Sequence, residues 1–236
     1  MSSKLKELVT KYPVVAVTGP RQSGKTTLVK HVFPDRAYVS LEDPDVREFA
    51  LTDPRGFLST YPDTAKAWLS VLQAGFIIFL LHPHHKNFNK RLIKSPKLFF
   101  YDPGLLCYLL GIDTPGSLAI HAFRGHIFET WVMGELLKGR FNRGLRENLY
   151  FWRDHVGHEV DCIVEQGENL IPLEAKSGET VTCDFFKGLN YWYKVSGLSP
   201  GGGYIIYGGD RDQKRKECSV MGWKSFASRV PGIFTK

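Results

Sequence analysis

The chain has 236 residues, 43% of them apolar and 23% charged, with a formal net charge of +7. These values are typical of globular proteins and exclude disorder, collagen and coiled coil. The longest strongly apolar stretch, residues 76–81, is far shorter than the roughly 20 residues that cross a bilayer, and the N-terminus lacks the apolar region of a signal peptide. We therefore expect a cytoplasmic protein without a membrane partner, and the positive charge suggests an anionic one.

The first motif is GPRQSGKT at residues 19–26, which matches the phosphate-binding loop GxxxxGK[ST]. An apolar run at Pro13–Val17 predicts a buried strand before it, and Lys25–Phe33 predicts an amphipathic helix after it. In such a loop backbone N–H groups face an anion, Lys25 reaches the β and γ phosphates, and Thr26 can hold Mg²⁺. The residues predicted to bind ATP and Mg²⁺ are Gly19, Arg21, Gln22, Ser23, Gly24, Lys25, Thr26 and Thr27. An ordinary strand-turn-helix is the alternative.

The residues after this helix predict a strand at Ala37–Leu41, a helix at Glu42–Ala50 and a loop from Asp53 to Asp63. A working P-loop ATPase also needs an acidic residue at the end of a second core strand. The formal match is Asp102, which leads directly into Pro103-Gly104 in a basic segment. We do not assign Asp102 that role.

A basic segment without a single acidic residue runs from Thr64 to Tyr101. A helix around Ala65–Leu72, ended by Gly75, and strands at 76–81 and 91–101 around a turn at His82–His85 are typical of the second half of a winged helix. The residues predicted to contact nucleic acid, with DNA as the candidate partner, are Lys86, Lys90, Arg91, Lys94 and Lys97. A solvated basic face would have the same composition, so both interpretations stay open.

The remaining residues predict an α/β arrangement of a helix, three strands, a helix and a strand. The predicted elements are a helix at Gly125–Lys138, strands at Leu149–Arg153, His158–Glu165 and Leu170–Ser177, a helix at Cys183–Val195 and a strand at Tyr204–Tyr207.

Three residues on two of these strands form a candidate catalytic group. If the strands pair antiparallel, Asp161 lies close to Glu174 and Lys176, which project from one face because they are two positions apart. Two carboxylates could then hold Mg²⁺ while the lysine orients an attacking water, as in metal-dependent phosphodiester hydrolysis. Glu129 and Glu135 on the preceding helix are further candidates. A surface ion pair of Glu174 and Lys176 is the alternative.

Four motifs together resemble a known family: VTGPRQSGKTTL, KRLIKSPKLFFYDPGLLCYLLGI, FRGHIFETWVMGELLK and YFWRDHVGHEVDCIVEQGENLIPLEAKSG. The chain resembles the prokaryotic AAA-superfamily ATPases that carry a C-terminal domain of unknown function with a restriction-endonuclease-like PD-(D/E)xK core. This resemblance implies that Lys25 and Thr26 bind ATP and Mg²⁺. It also implies that Glu129, Asp161, Glu174 and Lys176 occupy nuclease-like positions, the carboxylates as metal ligands.

The chain departs from this family in length. Members carry a Walker B strand, a sensor strand and lid helices before the winged helix, whereas here Tyr61-Pro62-Asp63 runs straight into Thr64, as in an internal deletion. The fold class predicted is α/β with three parts. These are a partial P-loop core at residues 1–63, a winged-helix remnant with a basic hairpin at 64–115, and a restriction-endonuclease-like domain at 116–236.

Three functional hypotheses follow from these patterns. The first is an ATP-binding protein of the AAA family whose hydrolysis is impaired because the Walker B and sensor segments are missing. The second is a metal-dependent nuclease in the C-terminal domain, and the third is a non-catalytic remnant that binds DNA or protein. The sequence assigns no oligomeric state.

Overall fold

The computed structural model describes residues 2–11, 15, 17, 23–84, 92 and 94–233. The chain divides into two compact units, Met1–Phe76 and Ile77–Lys236. The division falls inside the predicted winged-helix segment 64–115, because the helix of that segment belongs to the first unit and its two strands to the second. A winged helix built from all three is therefore not supported, and the three-part division stays a prediction.

The regular elements among the described residues of the first unit are all helices. Its helices are α1 Ser2–Lys11, α2 Lys25–Val32, α3 Pro44–Thr52, α4 Pro54–Thr60 and α5 Pro62–Ala74. Phe57 is its largest buried side chain, and its ring lies 5.8 Å from Phe49, 5.1 Å from Tyr61 and 5.7 Å from Trp68. These aromatic contacts join α3, α4 and α5.

Two predictions for this unit were wrong. Residues 37–41 form no strand. The segment predicted as a loop from Asp53 contains α4, because the Asp53 carboxylate accepts a hydrogen bond from Gly56 N and Pro54 occupies the first helical position. The helix predicted to end at Gly75 is confirmed as α5, whereas most of the predicted strand Pro13–Val17 lies outside the described residues.

The second unit is built on an eight-stranded mixed sheet in the order β2-β1-β3-β4-β5-β6-β8-β7. Its strands are β1 Ile78–Pro83, β2 Lys97–Phe100, β3 Leu149–Arg153, β4 Glu159–Gln166, β5 Asn169–Lys176, β6 Gly203–Tyr207, β7 Gln213–Lys214 and β8 Cys218–Gly222. Its helices are α6 Pro103–Leu109, α7 Pro115–Ile120, α8 Arg124–Phe141, α9 Lys187–Ser196 and α10 Trp223–Ile233, with a 3₁₀ turn at Cys183–Phe186. The fold is therefore mixed α/β.

Helices cover both faces of this sheet. On one face, α8 and α10 contribute Met133, Leu136 and Phe226 to a core with the strand residues Cys162 and Leu173. On the other face, α9 contributes a second core cluster: Leu189, Trp192 and Tyr193 pack with Trp152, Val160, Ile163 and Ile205. The neighbouring residues Cys162 and Ile163 enter different cores, as the period of a strand requires. A shift in the β3–β4 register between Tyr150 and Trp152 interrupts this alternation, so Val160 lies in the same core as Ile163.

The order of helix, three strands, helix and strand is confirmed by α8, β3, β4, β5, α9 and β6. The basic hairpin differs from its prediction. β1 and β2 pair antiparallel, but β1 also pairs with β3, so the hairpin extends the main sheet. His82 and Pro83 belong to β1 and not to a turn, since both pair with β3.

Candidate metal centre

The candidate site lies at the end of the β4–β5 ladder farthest from the turn that joins the two strands. The last residue pair of this ladder is Cys162 with Leu173, and Asp161 is the next residue of β4 beyond it. The Asp161 Oδ2 atom accepts a hydrogen bond from Ala175 N at 2.9 Å, which replaces the missing ladder bond. The Asp161 carboxylate is therefore fixed by the backbone of β5.

The predicted proximity of Asp161, Glu174 and Lys176 is confirmed. The Lys176 Nζ atom lies 2.5 Å from Glu174 Oε2 and 3.7 Å from Asp161 Oδ2. Burial alone would lower the pKa of Lys176, but Asp161 and Glu174 outweigh it and raise the pKa above its ordinary value. The lysine therefore stays charged and joins the two carboxyl groups.

Glu174 is buried to an unusual degree for a carboxyl group, with 2% of its surface exposed. Its Oε1 atom has no hydrogen-bond partner within the described part of the chain. Burial, and then the facing Asp161 carboxylate, raise the pKa of Glu174 well above its ordinary value, and Lys176 only partly opposes this. A buried carboxylate oxygen without a donor is suited to a proton or to a cation.

Asp161 also belongs to a second group of carboxylates, which includes a residue of α8. Glu129 on α8, Glu159 and Asp161 each place one oxygen within 4.8 Å of the others. Oxygen ligands of this kind are those that Mg²⁺ prefers. Glu174 is not in this group, so only two of the three C-terminal carboxylates expected to bind metal, Glu129 and Asp161, lie in it.

Glu159 was missed by the sequence prediction. It stands two positions before Asp161, so strand alternation places both side chains toward the same side. This spacing was the available signal. We name Glu129, Glu159 and Asp161 the carboxylate triad.

Lys97, predicted as a nucleic-acid contact on a basic hairpin, lies among these carboxylates. Its Nζ atom is 2.8 Å from Glu129 Oε1 and forms a second ion pair with Glu159. Burial alone would lower the pKa of Lys97, but Glu129, Asp161 and Glu159 together raise it above its ordinary value. The prediction of nucleic-acid contact by Lys97 stays untested, but the structure shows that its ammonium group pairs with carboxylates, because the start of β2 lies against α8.

Two cavities meet at Asp161 and Glu159. The larger, of about 680 Å³, is lined by Lys97, Glu129 and Arg153 in addition to these two residues. The smaller, of about 310 Å³, is lined by Asp161, Glu159, Glu174 and Lys176. A ligand entering either cavity would meet the Asp161 carboxylate.

The other acidic residues considered in the sequence, Glu135 and Asp102, make contacts outside this site. Glu135 pairs with Lys138 on α8, and Asp102 caps α6 by accepting a hydrogen bond from Gly104 N at 2.7 Å. Lys94 is exposed, whereas Lys86, Lys90 and Arg91 lie outside the described residues. The prediction of nucleic-acid contact by these four stays untested.

The phosphate-binding motif is described only in its second half, since Gly19, Arg21 and Gln22 lie outside the described residues. Gly24 has a left-handed backbone, with φ of 74°, and immediately precedes α2. Lys25, Thr26 and Thr27 form the first turn of α2, and Lys25 Nζ lies 3.4 Å from Ser23 Oγ. The predicted helix after the motif is confirmed.

The described helices include none with the length and hydropathy required to span a membrane.

Three family models match the chain. Residues 11–79 match an AAA domain, residues 48–116 match a domain of unknown function (DUF8612), and residues 124–226 match a domain of unknown function (DUF4143). The first and third matches support an AAA-like ATPase family. The AAA match covers the residues that contain the phosphate-binding motif, and it is the finding that points to nucleotide binding.

Two curated relatives are uncharacterized proteins of Mycobacterium bovis and Mycobacterium tuberculosis. Each is 33% identical to this chain over 118 residues, which is 50% of the chain and 26% of the relative. The match thus spans about a quarter of the length of these relatives.

Proposed function

We propose that the chain binds ATP and Mg²⁺ at residues 19–27 and that it hydrolyses ATP slowly or not at all. The AAA match over residues 11–79 supports the binding, since it contains the whole motif. The left-handed Gly24 also supports it, because this conformation leads the chain into the N-terminus of α2, and the N-terminus of a helix attracts phosphate.

We expect slow hydrolysis because the described part of the chain offers no suitable acidic residue to act beside the γ-phosphate. P-loop ATPases place this group at the end of a core strand, where it holds Mg²⁺ and positions the attacking water. Residues 23–76 contain no strand, and Asp102, the formal match, caps a helix of the second unit. We therefore expect nucleotide binding without efficient turnover.

Nucleotide binding and turnover are to be measured with the full chain. Lys25→Ala is expected to weaken Mg·ATP binding in calorimetry at least tenfold, because the cation facing the phosphates is lost. Lys6→Ala, which changes an exposed lysine of α1, is the matched control and should leave binding unchanged. ATP turnover that is substantial in the wild type and disappears in Lys25→Ala would contradict impaired hydrolysis.

A second candidate function, metal-dependent hydrolysis of phosphodiesters in DNA, is favoured by the convergence of the carboxylate triad beside Glu174 and Lys176. The donor set consists of carboxylate oxygens, and the Glu174 Oε1 atom has no donor facing it in the described chain. Both features fit a divalent cation such as Mg²⁺. Glu129, Glu159 and Asp161 would hold this ion, with Glu174 beside it.

The chemistry that the ion would supply is the activation of water and the neutralisation of charge on a phosphate. The protein's own contribution is made by Asp161, which its bond to Ala175 N holds in position, and by Lys176. The Lys176 ammonium would orient a water molecule toward phosphorus and would stabilise the growing negative charge. Bond cleavage then transfers the phosphate to water and releases an alcohol.

DNA cleavage by the full chain tests this second function. Cleavage is expected with Mg²⁺ or Mn²⁺ and should fall at least 100-fold in Asp161→Asn. Glu168→Gln, in the exposed turn between β4 and β5, is the control and should cleave like the wild type. Absence of cleavage with both metals on single-stranded, linear and supercoiled DNA would count against the proposal.

A further inference from the structure

Lys97 stands where the carboxylate triad would hold a cation. Its Nζ atom lies 2.8 Å from Glu129 and also pairs with Glu159, although these residues belong to a helix and a strand distant from β2 in sequence. Only 23% of the side chain is exposed. An ammonium group held by two carboxylates at this distance uses the lone pairs that a metal ion would need.

The charges around the two cavities are nearly balanced without a metal. The carboxyl groups that line them are Glu129, Glu159, Asp161, Glu174 and Asp184, and Asp184 pairs with Lys187. Three permanent cations pair with the other four in the described chain: Lys97, Lys176, and Arg153, whose Nε lies 3.4 Å from Glu159 Oε2. A divalent ion added to this arrangement would face Lys97 as a like charge at close range, and like charges repel strongly in a partly buried site.

We propose that Lys97 is an internal counter-ion of the carboxylate triad and that a divalent metal binds only when the Lys97 ammonium leaves. This inference rests on the proposed metal-dependent function of the second unit. According to this proposal, Lys97 controls the affinity of the site for metal. The fraction of sites that hold a metal then depends on the position of the Lys97 side chain at the start of β2.

The position of Lys97 in β2 is compatible with such a displacement. Lys97 forms the last residue pair of the β1–β2 ladder, with Leu81, and residues 94–96 before it are irregular. β2 is also the edge strand of the sheet. The side chain can therefore swing away from Glu129 by a change of rotamer without unpairing the interior of the sheet.

Direct measurement of Mn²⁺ binding by electron paramagnetic resonance tests this proposal on the full chain. Lys97→Gln is expected to bind Mn²⁺ at least tenfold more tightly than the wild type, because it removes the competing charge. Lys216→Gln changes an exposed lysine between β7 and β8 and should bind like the wild type. Equal or weaker binding by a folded Lys97→Gln variant, beside measurable wild-type binding, would overturn the role of Lys97 and leave the metal site standing.

Absence of Mn²⁺ binding in all three proteins would overturn the metal site itself, and the role of Lys97 with it. A measurement on the wild type avoids any dependence on how the variant folds. An amine-reactive label followed by mass spectrometry should modify Lys97 several-fold faster when Mn²⁺ saturates the site, while Lys216 reacts at an unchanged rate. An unchanged rate at Lys97 under saturation would contradict the displacement.

Discussion

The Glu174 carboxyl group is held in an environment that opposes its ionisation. Its surface is almost completely buried, and Asp161 faces it. A carboxyl group whose folded pKa exceeds its ordinary value of 4.5 binds a proton more tightly in the folded than in the unfolded state. Its contribution to stability is therefore complete below about pH 4.5 and decreases as the pH rises toward the folded pKa.

Glu174→Gln is expected to remove this pH dependence, because the amide has no charged form. Between pH 4.5 and pH 8, the free energy of unfolding of the variant should rise relative to that of the wild type, because only the wild type loses the stabilisation of its bound proton. Urea unfolding at several pH values measures the difference, with Glu168→Gln as the exposed control. A difference that is constant across this range would show that Glu174 ionises normally in the folded protein.

At the scale of elements, the approach of α9 to the sheet brings Gly188 against the site. A Cβ atom at this position would overlap the Glu174 Oε1 atom and would lie 2.7 Å from Glu159 O. The second neighbour is backbone, which cannot rotate away. α9 can therefore pack over the separation of β4 and β5 only with glycine at position 188.

Gly188→Ala is expected to destabilise the protein by about 2 kcal/mol, since the inserted methyl group must displace α9 or the carboxyl group. Gly125→Ala in α8 is the matched control, because its nearest neighbour would be Ser177 Oγ at 3.9 Å. That change should be neutral or stabilising by up to about 1 kcal/mol, as alanine favours helix. Denaturant unfolding compares them, and equal effects would contradict the packing argument.

Across the whole molecule, buried apolar side chains are unevenly distributed. Within the described residues, the strands and both core clusters belong to the unit Ile77–Lys236. The described residues of Met1–Phe76 contribute only Leu5, Val32 and Phe57 to the buried apolar set. Since burial of apolar surface is the main favourable contribution to folding, the second unit is the better equipped to fold alone.

A protein consisting of residues 77–236 is expected to unfold in a single cooperative transition. A protein consisting of residues 1–76 should unfold gradually, because few of its described side chains are buried. Thermal unfolding followed by circular dichroism of the two fragments and of the full chain checks this. Loss of the cooperative transition from fragment 77–236 would contradict the assignment of the core.

Local sequence patterns correctly predicted the elements whose apolar residues recur at a regular spacing or whose ends carry a clear capping residue. β3 was predicted at its exact bounds, and α8 within three residues at its C-terminal end. The strand predicted at Ala37–Leu41 and the loop predicted from Asp53 were wrong, because short apolar runs are ambiguous and an Asp-Pro pair can start a helix as well as a turn. The proximity of Asp161 to Glu174 and Lys176 was predictable, since two strands joined by a short turn pair antiparallel.

The sequence by itself determined the nucleotide-binding motif and the three polar residues on β4 and β5, because motif spacing and strand alternation are local properties. Only the tertiary structure decided that Glu129, Glu159 and Asp161 converge, and that Lys97 faces them instead of solvent. These residues come from α8, β4 and β2, so their meeting depends on the order of strands in the sheet and on the face that α8 covers. No local pattern specifies that order, because it is set by which arrangement buries the apolar faces of all elements together.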